Sequence, residues 1–115
     1  MGSRLEPKQV ITRPVCIIQT NLLNKIPHPS TIICPITTNV RKDSEILRVH
    51  LQKGIANLQQ ASDIMIYQIR AIDNKRLTRR VGILPEELIA KIKENIQIVL
   101  GSFERLIWYQ IGKKI

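Results

Sequence analysis

The apolar residues of this chain change their period at Pro85, and that change narrows the class of fold. Beyond it, Leu88, Ile92, Ile96 and Val99 recur at spacings of four, four and three, one face of an α-helix, with Ile89 and Leu100 widening the stripe. Pro85 suits the first helical position, Glu86 and Glu87 favour the positive end of the helix dipole, and Gly101 can close the helix. Before Pro85 the apolar residues come in short, β-branched runs separated by turn residues, a pattern of strands.

Those runs can be placed along the chain. Residues 13–19, Arg-Pro-Val-Cys-Ile-Ile-Gln, suit a buried strand, and Pro27 and Pro29 around His28 force a loop. Residues 31–37 form the next strand, in which Pro35 lacks an amide donor and marks a sheet edge or bulge. Residues 38–44 are a polar loop carrying Arg41 and Lys42. Leu47, Val49 and Leu51 then alternate with polar neighbours and share one face, which turns His50 toward solvent. Residues 64–70 read as a central strand, apolar on both faces. Residues 73–75 read as a turn, and 77–84 as a short fifth strand ahead of the helix. Short strands at regular spacing followed by one helix predict an α+β chain, mainly β: a small, partly open barrel or curved sheet with a packed helix.

The chain has 115 residues, enough for one domain, and its 18 Lys and Arg against 9 Asp and Glu leave a net charge of +9. Such a field attracts nucleic acid or an acidic protein. An aromatic content of 3% argues against binding by base stacking. No apolar run approaches the ~20 residues of a membrane span, and residues 1–12 lack the apolar stretch of a secretory signal. Cys16 and Cys34 make neither a disulfide framework nor a metal set, and sit in apolar runs where a thiol behaves as a small hydrophobe. His28 and His50 have no partners at ligand spacing, so neither metal nor cofactor is expected, and the plain reading is a soluble cytoplasmic protein. Three regions emerge: an arm over 1–12, a domain over 13–101 and an extension over 102–115. In the extension Phe103, Leu106, Ile107 and Ile111 follow helical spacing. That segment is expected to cover an apolar surface of its own barrel or a partner's, in preference to a membrane.

Arg13 opens the first strong strand and Thr37 closes the second. If those strands are antiparallel neighbours, a guanidinium and a hydroxyl meet at one rim, a place suited to a phosphodiester. The order of the blocks carries the argument further. Arg13-Pro14-Val15-Cys16-Ile17-Ile18-Gln19-Thr20-Asn21, then Pro35-Ile36-Thr37-Thr38, then Gln68-Ile69-Arg70-Ala71-Ile72-Asp73 and Arg76-Leu77 resemble the MazF/PemK toxins of bacterial type II toxin–antitoxin systems. The resemblance runs from about Thr12 to Gly101. It implies an SH3-like barrel of the MazF/CcdB/Kid type with a packed C-terminal helix, the family's first strand being reduced here to Leu5-Glu6-Pro7. It also implies a homodimer that cleaves single-stranded RNA (mRNA) at short sequences without metal, and an acidic antitoxin that occupies the RNA groove. Carried over by position, Arg13 matches the family's catalytic arginine, Thr37 its catalytic threonine, and Gln68 a glutamine near the RNA path; Gln19, Thr38, Arg41, Lys42 and Arg70 are the further RNA contacts expected. The implied reaction is attack of a ribose 2′-hydroxyl on the adjacent phosphorus, with Arg13 stabilising the developing charge and Thr37 orienting the phosphate. The sequence offers no convincing general base for it. Two alternatives remain at this point: a MazF-like binder of RNA or antitoxin that does not cleave, and a gyrase poison of the CcdB kind.

Overall fold

The computed structural model describes residues 12–18, 25, 27–43, 47–101 and 107–112. Among the described residues, five strands, β1 (Val15–Ile17), β2 (Ser30–Thr37), β3 (Arg48–Leu51), β4 (Ser62–Met65) and β5 (Arg70–Asp73), precede one helix, α1 (Glu86–Leu100). All pairings are antiparallel and β2 is the hub. It pairs with β1, setting Val15 opposite Pro35 and Ile17 opposite Ile33. It also pairs with β5 over Ser30 to Ile33 and with β4 at Ile36 and Thr37. β3 extends the sheet beyond β4.

Pro35 is buried at the join of these pairings, where the partner strand changes from β5 to β4. The missing amide therefore marks a break in one ladder of a central strand, and not the edge of a sheet. That break also explains why residues 64–70 are not one strand. To follow β2 across the gap, the chain leaves β4 at Met65, makes a 3-10 turn over Ile66–Gln68 and re-enters the sheet as β5. β4 does lie centrally, between β2 and β3.

Residues 77–84 form no strand. They are held against the loop over 54–58, where Asn57 Nδ2 donates to the Val81 carbonyl at 3.0 Å. Gly82 approaches so closely that an added Cβ would lie 2.3 Å from the Ala56 oxygen. The segment read as a fifth strand docks on a loop instead of joining a ladder.

One core joins the sheet to the helix. Cys34, Val49, Leu51, Ile64 and Ile66 are fully buried. Ile92 of α1 is buried with them, while Leu88, Ile96 and Val99 pack alongside. Ile89 and Leu100 do not widen that stripe; they are 37% and 56% exposed. Pro85 stands at the N-cap, one residue before the expected place, and its carbonyl accepts from the Leu88 and Ile89 amides. Gly101, at φ +48°, closes the helix as its amide bonds Gln97.

Cys16 and Cys34 are opposite one another in the β1–β2 register, both buried and both free. Burial pushes each thiol up to about 11, with the neighbouring Cys34 adding to the effect at Cys16. In the extension, Ile107, Trp108, Tyr109 and Ile111 are nearly fully exposed and in no helix, so this chain's own barrel does not cover them as expected. Phe103 and Leu106, like Leu5-Glu6-Pro7, lie outside the described residues.

Candidate active site

The β1–β2 ladder runs toward the rim that the sequence singles out. Two further steps along its register set Arg13, exposed just before β1, opposite Thr37, the last residue of β2. Thr37 is half-buried, and its Oγ1 accepts from the Asn39 amide at 3.1 Å. With a lone pair engaged there, the hydroxyl hydrogen remains available to a ligand oxygen. Thr38 follows, exposed, and the chain turns through Val40 to Arg41 and Lys42.

This turn is fastened to a carboxylate. Asp63, the register partner of Thr37 on β4, is 1% exposed. Its Oδ2 accepts from the Arg41 amide at 2.9 Å and from Arg48 Nη1 at 3.2 Å. Its Oδ1 pairs with His50 Nδ1 at 3.0 Å. Arg48 Nη1 also donates to the Asn39 carbonyl at 2.8 Å, and its Nη2 reaches the Tyr67 hydroxyl at 3.5 Å. Burial alone would raise the Asp63 pKa. The hydrogen bonds from Arg41, His50 and Arg48 outweigh it and hold the carboxyl below its usual range. Tyr67 is lowered chiefly by its bond with Arg48, against a smaller opposing effect of burial and with help from Gln68.

Val40, Arg41, Lys42, Arg48, His50, Asp63 and Lys91 line a cleft of about 350 Å³ beside this turn. Its cations come from three separate elements: the loop after β2, strand β3 and helix α1. Such a surface is fitted to an anion.

Of the residues picked from the sequence, the structure gathers Arg13, Thr37, Thr38, Arg41 and Lys42 at one end of β2. Gln68, half-buried at the end of the 3-10 turn, reaches the cleft only through Tyr67 and Arg48. Arg70 stands apart: it is exposed and opposite Ile33, about 13 Å along the strand from Thr37 at ordinary rise. Gln19, with the loop over 19–24, lies outside the described residues. Sequence reading missed Arg48, Asp63 and Lys91, and took His50 as a plain solvent-facing residue. His50 does face solvent, at 48% side-chain exposure, but with its ring bonded to a buried carboxylate. The available signal was the alternation of Arg48 and His50 with Val49 and Leu51, which sets two polar groups on the outer face.

Residues 3–100 match the model of the PemK-like, MazF-like toxins of type II toxin–antitoxin systems. The chain belongs to this family. It is 33% identical over 92 residues to endoribonuclease EndoA of Bacillus subtilis (strain 168), an alignment covering 80% of this chain and 78% of that protein. It is 34% identical over 89 residues to endoribonuclease MazF of Staphylococcus epidermidis, covering 77% and 73%. In fold it resembles the Mycobacterium tuberculosis toxin MazF-mt6, with a TM-score of 0.68 and 24% identity over 76% of this chain and 85% of that one. The antiparallel sheet with its C-terminal helix is thus that of the MazF toxins.

Proposed function

We propose that this toxin is an endoribonuclease cutting single-stranded RNA at the rim between Arg13 and Thr37, without a metal. The observation that supports the reading is the β1–β2 register, which continued by two residues runs Arg13 opposite Thr37, next to the turn that borders a cationic cleft. Family membership and two relatives named endoribonucleases support the same activity. Arg13 offers a planar fork to two phosphate oxygens, and Thr37 directs its hydroxyl hydrogen to another. As the ribose 2′-oxygen attacks phosphorus, negative charge grows on those oxygens. A well-placed donor there is worth ~3–4 kcal/mol of barrier. The products are a 2′,3′-cyclic phosphate and a 5′-hydroxyl end. Arg41 and Lys42 extend the positive path, and Thr38, Gln68, Arg70 and Gln19 are its further RNA contacts.

The toxin acts in the cytoplasm as a homodimer and is neutralised by an acidic antitoxin. Exposed Ile98 and Leu100 on α1, together with Ile107, Trp108 and Tyr109, supply apolar surface for association. The net charge of +9 suits both RNA and antitoxin. The test is incubation of the purified protein with a long single-stranded RNA in EDTA. Discrete fragments with 5′-hydroxyl ends are expected. RNA that is bound but stays intact would overturn the reading in favour of a binder.

A further inference from the structure

The row of residues at the rim does not stop at Thr37. Thr37 is opposite Asp63 on β4, and Asp63 is opposite His50 on β3. Directly opposed residues of antiparallel strands present their side chains on the same face. Thr37, Asp63 and His50 therefore form one line across the sheet, on strands about 4.8 Å apart, and the β1–β2 register continued by two residues brings Arg13 to its end. A phosphate seated on Thr37 has a guanidinium toward β1 and, past Asp63 and two strand spacings (about 10 Å) away, an imidazole toward β3.

That imidazole is oriented. The ionised Asp63 can only accept, so the bond at His50 Nδ1 requires the hydrogen on Nδ1 and leaves Nε2 with a free lone pair in the neutral ring. A buried carboxylate holding an imidazole by Nδ1, with Nε2 turned outward, is an arrangement that serves proton abstraction in unrelated enzymes. His50 is half-exposed and lines the cleft with Arg41, Lys42 and Lys91, so an anionic chain drawn there meets its ring. Arg41 and Arg48 already meet the Oδ2 oxygen of Asp63, and the Oδ1 oxygen is given to His50.

We propose that His50, held by Asp63, is the general base of RNA cleavage; this rests on the reading that Arg13 and Thr37 hold the scissile phosphate. Nε2 takes the proton of the ribose 2′-hydroxyl as the O2′–P bond forms and the P–O5′ bond breaks. The departing O5′ takes a proton from water, and the hydroxide left behind recovers the proton from Nε2. Asp63 is the positioning residue for this step, and Lys42 and Lys91 offset the charge of the RNA backbone around it.

The experiment follows single-turnover cleavage of one RNA by the parent, His50→Gln, His50→Ala and Thr37→Ala from mildly acid to mildly alkaline pH. Loss of a general base slows cutting by roughly 10²-fold or more. His50→Gln is expected to show that loss with RNA affinity retained, and to lack the rising limb of the parental pH profile. Added imidazole is expected to restore cutting by His50→Ala and not by Thr37→Ala, which separates a missing base from a damaged fold. The proposal is overturned if His50→Gln cuts at the parental rate with the parental profile while Thr37→Ala is inert. It is equally overturned if both His50 variants are slow and imidazole restores nothing. Parental cutting by Thr37→Ala would instead overturn the underlying assignment of the rim.

Discussion

A carboxylate that is 1% exposed stays ionised only when its surroundings replace water, and around Asp63 an amide, a guanidinium and an imidazole do so. Its lowered pKa ties stability to pH. The contribution is complete above the ordinary carboxylate range and is lost as pH falls through the folded value. Acid should therefore destabilise the parent more steeply than Asp63→Asn, which has no proton to gain; urea midpoints measured at falling pH check this, and parallel curves would contradict it. At neutral pH the same substitution leaves Arg48, 9% exposed, without its ionic partner, and should cost about 3 kcal/mol. Part of the rim was legible in the sequence, because β-branched runs show roughly where strands begin and end: Thr37 closes β2 as read, and Arg13 stands two residues before β1. The Asp63–His50 pair was not. Its members belong to different strands, and only the register, set by packing over the whole sheet, makes them face each other.

At the scale of elements, the helix was readable because its cues agree: apolar period, Pro85, the two glutamates and Gly101 all point to the same boundaries. Its stripe proved narrower than the sequence suggested, since Ile89 and Leu100 fall outside the surface that the sheet can cover. Residues 64–70 and 77–84 misled for a shared reason, which is that local pattern does not name the partner. The first run had to turn where β2 changes partner at Pro35, and the second found a loop in place of a strand. The loop's own backbone is unusual, with Ala56 at φ 52° and Asn57 at φ 65°. Gly82→Ala tests this docking. A Cβ there collides with the Ala56 backbone, and overpacking of this kind costs ~1–3 kcal/mol. A lowered urea midpoint is expected, and an unchanged one would show that the segment is not held where it is described.

For the molecule as a whole, charge and exposed apolar surface act together. A net +9 keeps like copies apart, yet Ile98, Leu100, Ile107, Trp108 and Tyr109 leave apolar area open that a second chain can cover. Light scattering at micromolar concentration should give twice the 13.2 kDa of the chain, and a species of the single-chain mass contradicts the dimer. The buried thiols add a dependence at the other end of the pH scale. Their raised pKa means that stability is complete below 9.0, the ordinary value, and is lost as pH rises through about 11. All of this surrounds one claim, that the Arg13–Thr37 rim cuts RNA. The most direct test compares the parent, Arg13→Lys and Thr37→Ala on one RNA in EDTA, with the fragment ends identified chemically. Arg13→Lys keeps the charge but loses the fork. The account predicts 5′-hydroxyl fragments from the parent and a loss of roughly 10²-fold or more in rate for both variants at unchanged melting temperature. Parental rates from both variants would contradict it.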